Sequence, residues 1–229
     1  MTLQVNDVSE EFDLSGKGHG SAVRVKRTGV YRNGLKRVFD LILVLLAAVL
    51  AVPLIAALAV IVALDGSFPF YFSPRVGRGG RVFRMLKLRT MVPDADRRLE
   101  GYLSHNAEAR LEWNSTQKLK DDPRITWIGR ILRKTSLDEL PQLWNVALGQ
   151  MSLVGPRPFM PSQRVLYDGT AYYTLRPGVT GPWQVSARNE TTFAKRSDFD
   201  RLYDETLSLR TDVKILVATV RVVLKGTGY

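Results

Sequence analysis

The chain has no cysteine among its 229 residues. A disulfide framework, a thiolate zinc site and a cysteine nucleophile are therefore excluded. Histidine is almost as scarce: His19 and His105 are the two, and they lie far apart. That argues against a histidine metal centre and against a Ser-His-Asp triad. No Gly-Lys-Ser/Thr follows the Arg78-Gly-Gly80 turn at the spacing of a phosphate-cradling loop, and no G-x-G-x-x-G follows a strand pattern. The common nucleotide fingerprints are thus missing as well.

What is present begins with an ordinary globular composition, 45% hydrophobic and 24% charged, which excludes a disordered chain, a collagen and a multi-span membrane protein. The formal net charge of +11 calls for an anionic partner: nucleic acid, lipid headgroups or a phosphate-bearing substrate. Twelve of the 33 basic residues flank one apolar run and no nucleic-acid motif occurs, so nucleic acid ranks a distant last.

Residues 1–23 read as a disordered or variable tail, with Asp7, Glu10, Glu11 and Asp13 ahead of a loose Ser/Gly stretch. An acidic start of this kind is unlike a secretory signal. Residues 24–69 form a second unit. Arg24 to Arg37 hold six basic residues and no acidic one, and Leu41 to Leu64 are twenty-four residues without a charge. One helix of that length spans roughly 36 Å, enough for a bilayer core of about 30 Å. Two features favour a helix that enters, bends and leaves on one face over a straight span. Pro53, at the centre of the run, removes a backbone hydrogen bond and predicts a kink. Arg75, Arg78, Arg81, Arg84, Lys87 and Arg89 make the second flank as basic as the first, and basic flanks stay cytoplasmic.

Residues 70–229 make the remaining domain. Phe70 to Thr90 predicts two strands around a glycine-rich turn. Residues 94–113 are helix-prone, Asp121-Asp-Pro123 interrupts, and residues 131–148 predict a helix starting at Ser136 and stopping at Gly149. Residues 152–190 are a Pro- and Gly-rich loop region of the kind that carries function. A polar helix around Asp198–Leu209 precedes a segment from Asp212 to Lys225 that either packs as a core helix or lies in the membrane interface.

Chemistry concentrates in Arg133-Lys-Thr-Ser-Leu-Asp-Glu-Leu-Pro-Gln-Leu-Trp-Asn145. By spacing alone, Ser136 and Glu139 form a capping box. A helix start also attracts phosphate, and Asp138 and Glu139, about 100° apart on a helix, are free to take different roles. In Ser152-Leu-Val-Gly-Pro-Arg-Pro-Phe159, two prolines preset Arg157, which suits bidentate phosphate recognition as well as a rigid turn. Arg176-Pro-Gly-Val-Thr-Gly-Pro-Trp-Gln-Val-Ser-Ala-Arg188 repeats that pattern, with Trp183 available to stack a base or pack the core.

Several long motifs stand in order: Lys36-Arg-Val-Phe-Asp40, Lys87-Leu-Arg-Thr-Met91, Gly129 to Val146, Gly149 to Pro158 and Arg176 to Gly181. In these the chain resembles the bacterial sugar transferase family, the monotopic polyprenol-phosphate phosphoglycosyl transferases that prime exopolysaccharide, capsule and glycan assembly. The match runs from Lys36 to the C-terminus, and the length resembles the small single-module members, without the four spanning helices of larger ones.

The resemblance implies an α/β, mainly α, monotopic fold. It would comprise a proline-broken re-entrant membrane helix and a cytoplasmic catalytic domain with interfacial helices and a short β-hairpin, held at the inner membrane. It implies that Asp138 attacks the β-phosphorus of a UDP-sugar, releasing UMP, and that undecaprenyl phosphate takes the phosphosugar from the aspartate. Asp138 and Glu139 would hold Mg²⁺. Lys87, Arg89 and Arg133 would contact phosphates, and Arg157 and Arg188 the nucleotide end. Val52 stands before Pro53 where many members have serine, and Ala187 stands where glycine is common. The ending Lys225-Gly-Thr-Gly-Tyr229 resembles members that use UDP-galactose or UDP-glucose. A non-catalytic scaffold on anionic lipid is the competing class, and a homo-oligomer is left open. A scaffold has no use for the Asp138-Glu139 pair.

Overall fold

A computed structural model describes residues 29–116, 119–186, 193 and 195–224. The acidic tail, Ala187, Arg188 and the segment from Lys225 to Tyr229 lie outside the described residues.

The apolar run forms α1 (Lys36–Ala63), entered through a π-helical turn over Tyr31–Leu35. The helix runs through Pro53 as one element in place of two separate helices. Pro53 still lacks the N–H that would bond the Val49 carbonyl. Leu45, Leu46, Val49 and Leu50 are 65–79% exposed. Among the described residues, Tyr31–Ala63 is the one helix long and apolar enough to cross a membrane, and only 11% of its most apolar window is buried. A soluble helix would hide such a surface.

Both ends of α1 are fastened to the same body. At the start, Arg37 donates to the carbonyls of Val146 (2.5 Å) and Ala147 (2.9 Å). The buried Asp40 carboxylate accepts from Ser152 Oγ (2.7 Å) and the Leu153 N–H (3.1 Å). At the far end, Val62 packs with Leu88 and Leu132, flanked by Leu58, Ala59 and Phe70.

The hairpin is as predicted. Strands β1 (Phe70–Val76) and β2 (Val82–Leu88) pair antiparallel from Phe70↔Leu88 to Val76↔Val82. Gly79 and Gly80 turn the corner at φ of 68° and 77°, a region costly for other residues. The outer edge of β2 is closed by a side chain instead of a third strand. Asn145 Oδ1 accepts from the Leu86 N–H (2.9 Å), and its Nδ2 donates to the Arg84 carbonyl (2.8 Å) and to Gln150 Oε1 (2.7 Å). Asn145 is buried, so Asn145→Asp would turn a donor into a second carboxylate oxygen facing two acceptors. A loss of about 3 kcal/mol in a denaturation experiment is expected.

The helix-prone stretch is two helices, α2 (Ala95–His105) and α3 (Ala107–Thr116). Then α4 (Trp127–Thr135) is capped by Thr126, whose Oγ1 accepts from the Gly129 N–H at 2.9 Å. A Cβ on Gly129 would fall 2.0 Å from the Thr90 carbonyl oxygen, so this glycine lets α4 press on the end of β2. Ser136 does not start a helix. It ends α4 in the left-handed conformation (φ 57°), and its side chain makes no capping bond. A 3₁₀ turn, Leu137–Glu139, follows, then α5 (Gln142–Ala147), with Gly149 at φ 77° just beyond as the expected stop.

The Pro/Gly-rich region folds into short pieces: β3 (Ser152–Val154), a 3₁₀ turn Pro161–Leu166, α6 (Ala171–Thr174), β4 (Gly178–Thr180) and α7 (Pro182–Val185). Strands β3 and β4 pair parallel, a second small ladder that the sequence did not announce. The chain closes with α8 (Arg196–Thr206) and α9 (Leu209–Leu224). Ile215 and Asp212 of α9 are fully buried, while Val213, Val217 and Val220 are 43–58% exposed, so the helix has a core face and a second apolar face outward. Val146, Met151, Leu153, Trp183, Phe199, Tyr203 and Ile215 join α5, β3 and α7 to α9 in the main core.

Candidate active site

Alternation along the hairpin puts Tyr71, Ser73 and Arg75 of β1 on the same inner face as Phe83, Met85 and Lys87 of β2. Lys87 thereby meets the 3₁₀ turn after α4. Its Nζ lies 2.7 Å from Glu139 Oε1 and 3.6 Å from Asp138 Oδ2. Glu139 thus turns to Lys87 instead of closing a capping box on Ser136.

Asp138 is 7% exposed. Burial pushes its carboxyl above the ordinary range; Lys87 and Arg133 pull it back, and Glu139 pushes it further up. Arg133, in the last turn of α4, is held by its Nε bond to Thr90 Oγ1 (2.9 Å), and burial lowers its proton affinity. The two cations beside Asp138 therefore offset part of the cost that burial puts on its charged form. An ionised, poorly solvated carboxylate is a nucleophile or a metal ligand.

Next to this pair opens a small cleft, lined among others by Arg75, Lys87, Glu139, Gln142, Arg157 and Gln184. Arg157 is one of the lining residues, its guanidinium 5.4 Å from the Trp183 ring centroid. Arg196 sits over the same ring at 4.3 Å. Trp183 is buried, so it packs the core while its face carries two cations. Burial, with Arg157 and Arg75 nearby, pushes the Arg196 guanidinium down to about 10, and burial beside Arg157 also lowers Arg75. The buried Nε atoms of Arg75 and Arg196 and both amide atoms of Gln184 have no hydrogen-bond partner among the described residues. Buried donors of this kind are costly without an acceptor, and an anionic ligand supplies acceptors.

Arg89 stands apart from this cleft. Its Nε donates to the Phe68 carbonyl, Nη1 to Asp65 and the Met91 carbonyl, and Nη2 to Asp65 and the Val62 carbonyl. In this arrangement it ties the end of α1 to the end of β2, two residues from Lys87. Arg188 is outside the described residues. Arg75, Arg196, Gln142 and Gln184 were passed over at the sequence level. Strand alternation from Lys87 points to Arg75; Gln184 reaches the cleft, and Arg196 the Trp183 ring, only through the packing of α7 and α8.

Behind the cleft, Phe159, Tyr167 and Tyr172 form an aromatic cluster with Val76. Tyr167 donates to Asp200 at 2.9 Å, and burial pushes the Asp200 carboxyl up to about 7. Asp200 therefore holds its proton in the folded state where the unfolded chain has lost it. Its contribution to stability falls as pH rises from about 4 to about 7 and is level above. In Asp200→Asn that slope should vanish, with relative stabilisation on the order of a few kcal/mol at pH 8. Melts at pH 5 and pH 8 check it.

For Mg²⁺, the residues fit. Asp138 and Glu139 are hard oxygen donors on one turn, and this ion commonly uses one or two carboxylates with water and substrate phosphate. Among the described residues no cluster of three acidic or histidine side chains exists.

The profile of the family described as "Bacterial sugar transferase" matches residues 31–226. The chain is 48% identical over 196 residues to a UDP-galactose-lipid carrier transferase of Erwinia amylovora, covering 85% of this chain and 41% of that protein. It is 45% identical to an undecaprenyl-phosphate galactose phosphotransferase of Salmonella typhimurium, with 85% and 41% covered. To the exopolysaccharide production protein ExoY of Sinorhizobium fredii it is 43% identical, with 84% and 87% covered. The chain thus spans about two fifths of the first two relatives and most of the third. The ordered motifs, the Lys87–Asp138–Glu139 cluster and this similarity agree: the chain belongs to the bacterial sugar transferase family.

Proposed function

We propose that the protein transfers a hexose-1-phosphate from a UDP-sugar to undecaprenyl phosphate, priming exopolysaccharide or capsule synthesis. The observation that carries this reading is the nearly buried Asp138, 3.6 Å from Lys87 Nζ, beside a cleft lined by Arg75 and Arg157. Relatives named as an undecaprenyl-phosphate galactose phosphotransferase and an undecaprenyl-phosphate glucose phosphotransferase support galactose or glucose as the sugar.

In this mechanism Arg75 and Arg157 bind the diphosphate and nucleotide, the unmet Arg75 Nε taking a phosphate oxygen. Lys87 and Arg133 orient the β-phosphate toward Asp138. An Asp138 oxygen attacks the β-phosphorus, the bond to the bridging oxygen breaks, and UMP leaves with the electron pair. Undecaprenyl phosphate then attacks the same phosphorus and breaks the bond to Asp138, regenerating the carboxylate. Mg²⁺ held by Asp138 and Glu139 would offset the phosphate charge.

The exposed apolar surface of α1 belongs in lipid. Attachment of both its ends to one body supports a helix that enters and leaves on one face, and the basic flanks favour the cytoplasm for that face. Since the chain has no cysteine, single Val30→Cys and Arg78→Cys variants in inverted membrane vesicles should both react with an impermeant maleimide. Labelling of one from the opposite side would mean a true span.

The function is tested by UMP release from a panel of UDP-sugars with undecaprenyl phosphate and Mg²⁺ in detergent. UMP formed with one donor, coupled to a lipid-linked diphosphosugar, is the expected result. No UMP from any donor with folded protein would contradict it.

A further inference from the structure

The catalytic face of the hairpin extends beyond the cleft. Of its six inner-face residues, Ser73, Arg75, Phe83, Met85 and Lys87 are buried or half-buried, and Tyr71 alone is exposed, at 55%. Tyr71 is the residue directly opposite Lys87 in the ladder. Facing residues in an antiparallel pair have Cβ atoms about 5 Å apart and share a face. An electrostatic coupling between Tyr71 and Arg75 agrees with that placement.

Position along the hairpin says which substrate meets this ring. Next to Tyr71, the pair Phe70–Leu88 packs on the end of α1 through Leu58, Ala59 and Val62. Four residues the other way, Arg75 faces Arg157 across the cleft wall. The Phe70 end of the hairpin therefore adjoins the lipid-immersed helix through its other face, and the Arg75 end is cationic, with Tyr71 and Lys87 nearer the first. A donor with two phosphates and a nucleotide matches the arginine end. An acceptor whose phosphate must reach Asp138 while its hydrocarbon stays in lipid arrives from the α1 end, across Tyr71. A tyrosine suits that passage, since its ring offers an apolar wall and its hydroxyl stays wet.

We infer that Tyr71 is an acceptor-binding residue: its ring is the wall against which the isoprene units nearest the phosphate of a polyprenyl phosphate lie while that phosphate reaches Lys87. This rests on the transferase reading above.

Steady-state kinetics of the full-length chain in detergent test it, with undecaprenyl phosphate and farnesyl phosphate as acceptors. Tyr71→Ala should raise KM for both acceptors about tenfold, the loss expected for one aromatic wall. KM for the UDP-sugar, and the sugar-phosphate adduct formed without acceptor, should stay within about twofold of wild type. Tyr71→Phe should behave as wild type. Unchanged acceptor KM in Tyr71→Ala overturns the inference, and so does a rise confined to the UDP-sugar or a loss of the adduct. A rise for undecaprenyl phosphate with none for farnesyl phosphate also overturns it, since the ring would then anchor in lipid. Equal loss in Tyr71→Phe would assign the effect to the hydroxyl and contradict the wall. An inactive wild type would instead overturn the transferase reading, and the inference with it.

Discussion

Replacing Asp138 by Asn is expected to cut phosphosugar transfer by at least about 10⁴-fold, with the fold and membrane association unchanged. The size follows from the role: no other described carboxylate faces the same cluster except Glu139, which is already engaged by Lys87 at 2.7 Å. Asn is isosteric and neutral, and burial at this position opposes the charged form, so folding should not suffer. UMP release by purified variant and wild type at equal protein checks it. Activity within tenfold of wild type would remove the nucleophile assignment.

Lys87→Met should lower transfer by about 10² to 10³-fold and move its pH profile. Lys87 is the cation that most depresses the Asp138 pKa against the upward push of burial. Without it that pKa rises further, a smaller fraction of Asp138 is ionised at a given acidic pH, and the acid limb of kcat should shift to higher pH. Activity should therefore recover in part as pH is raised. Lys87→Arg keeps the charge and should shift the limb less. A uniform fall at all pH values would mean that Lys87 binds phosphate without tuning Asp138.

These expectations rest on features of unequal legibility in the sequence. The hairpin, the Asp138-Glu139 pair and the preset Arg157 could be read directly, because each depends on local spacing: alternation, a charged doublet, a pair of prolines. Ser136 misled because Ser-x-x-Glu is a helix-start pattern, whereas here α4 ends at Thr135 and the chain needs a left-handed residue to turn toward Lys87. The edge-closing bonds of Asn145 depend on residues 59 and 61 positions away, which no local pattern encodes. Arg89 lies in the Lys87-Leu-Arg motif and invites a phosphate-binding role, yet its donors meet Asp65 and the carbonyls of Val62, Phe68 and Met91. Arg196 reaches the Trp183 ring only because α8 packs beside it, a tertiary fact.

The most direct test of the covalent step is the intact mass of the protein after incubation with a UDP-sugar it accepts and Mg²⁺, without undecaprenyl phosphate. A gain of one hexose phosphate is expected, carried by the peptide that contains Asp138, absent from Asp138→Asn, and discharged on adding the acceptor. No gain while the wild type still turns over, or a gain on another residue, would contradict the account.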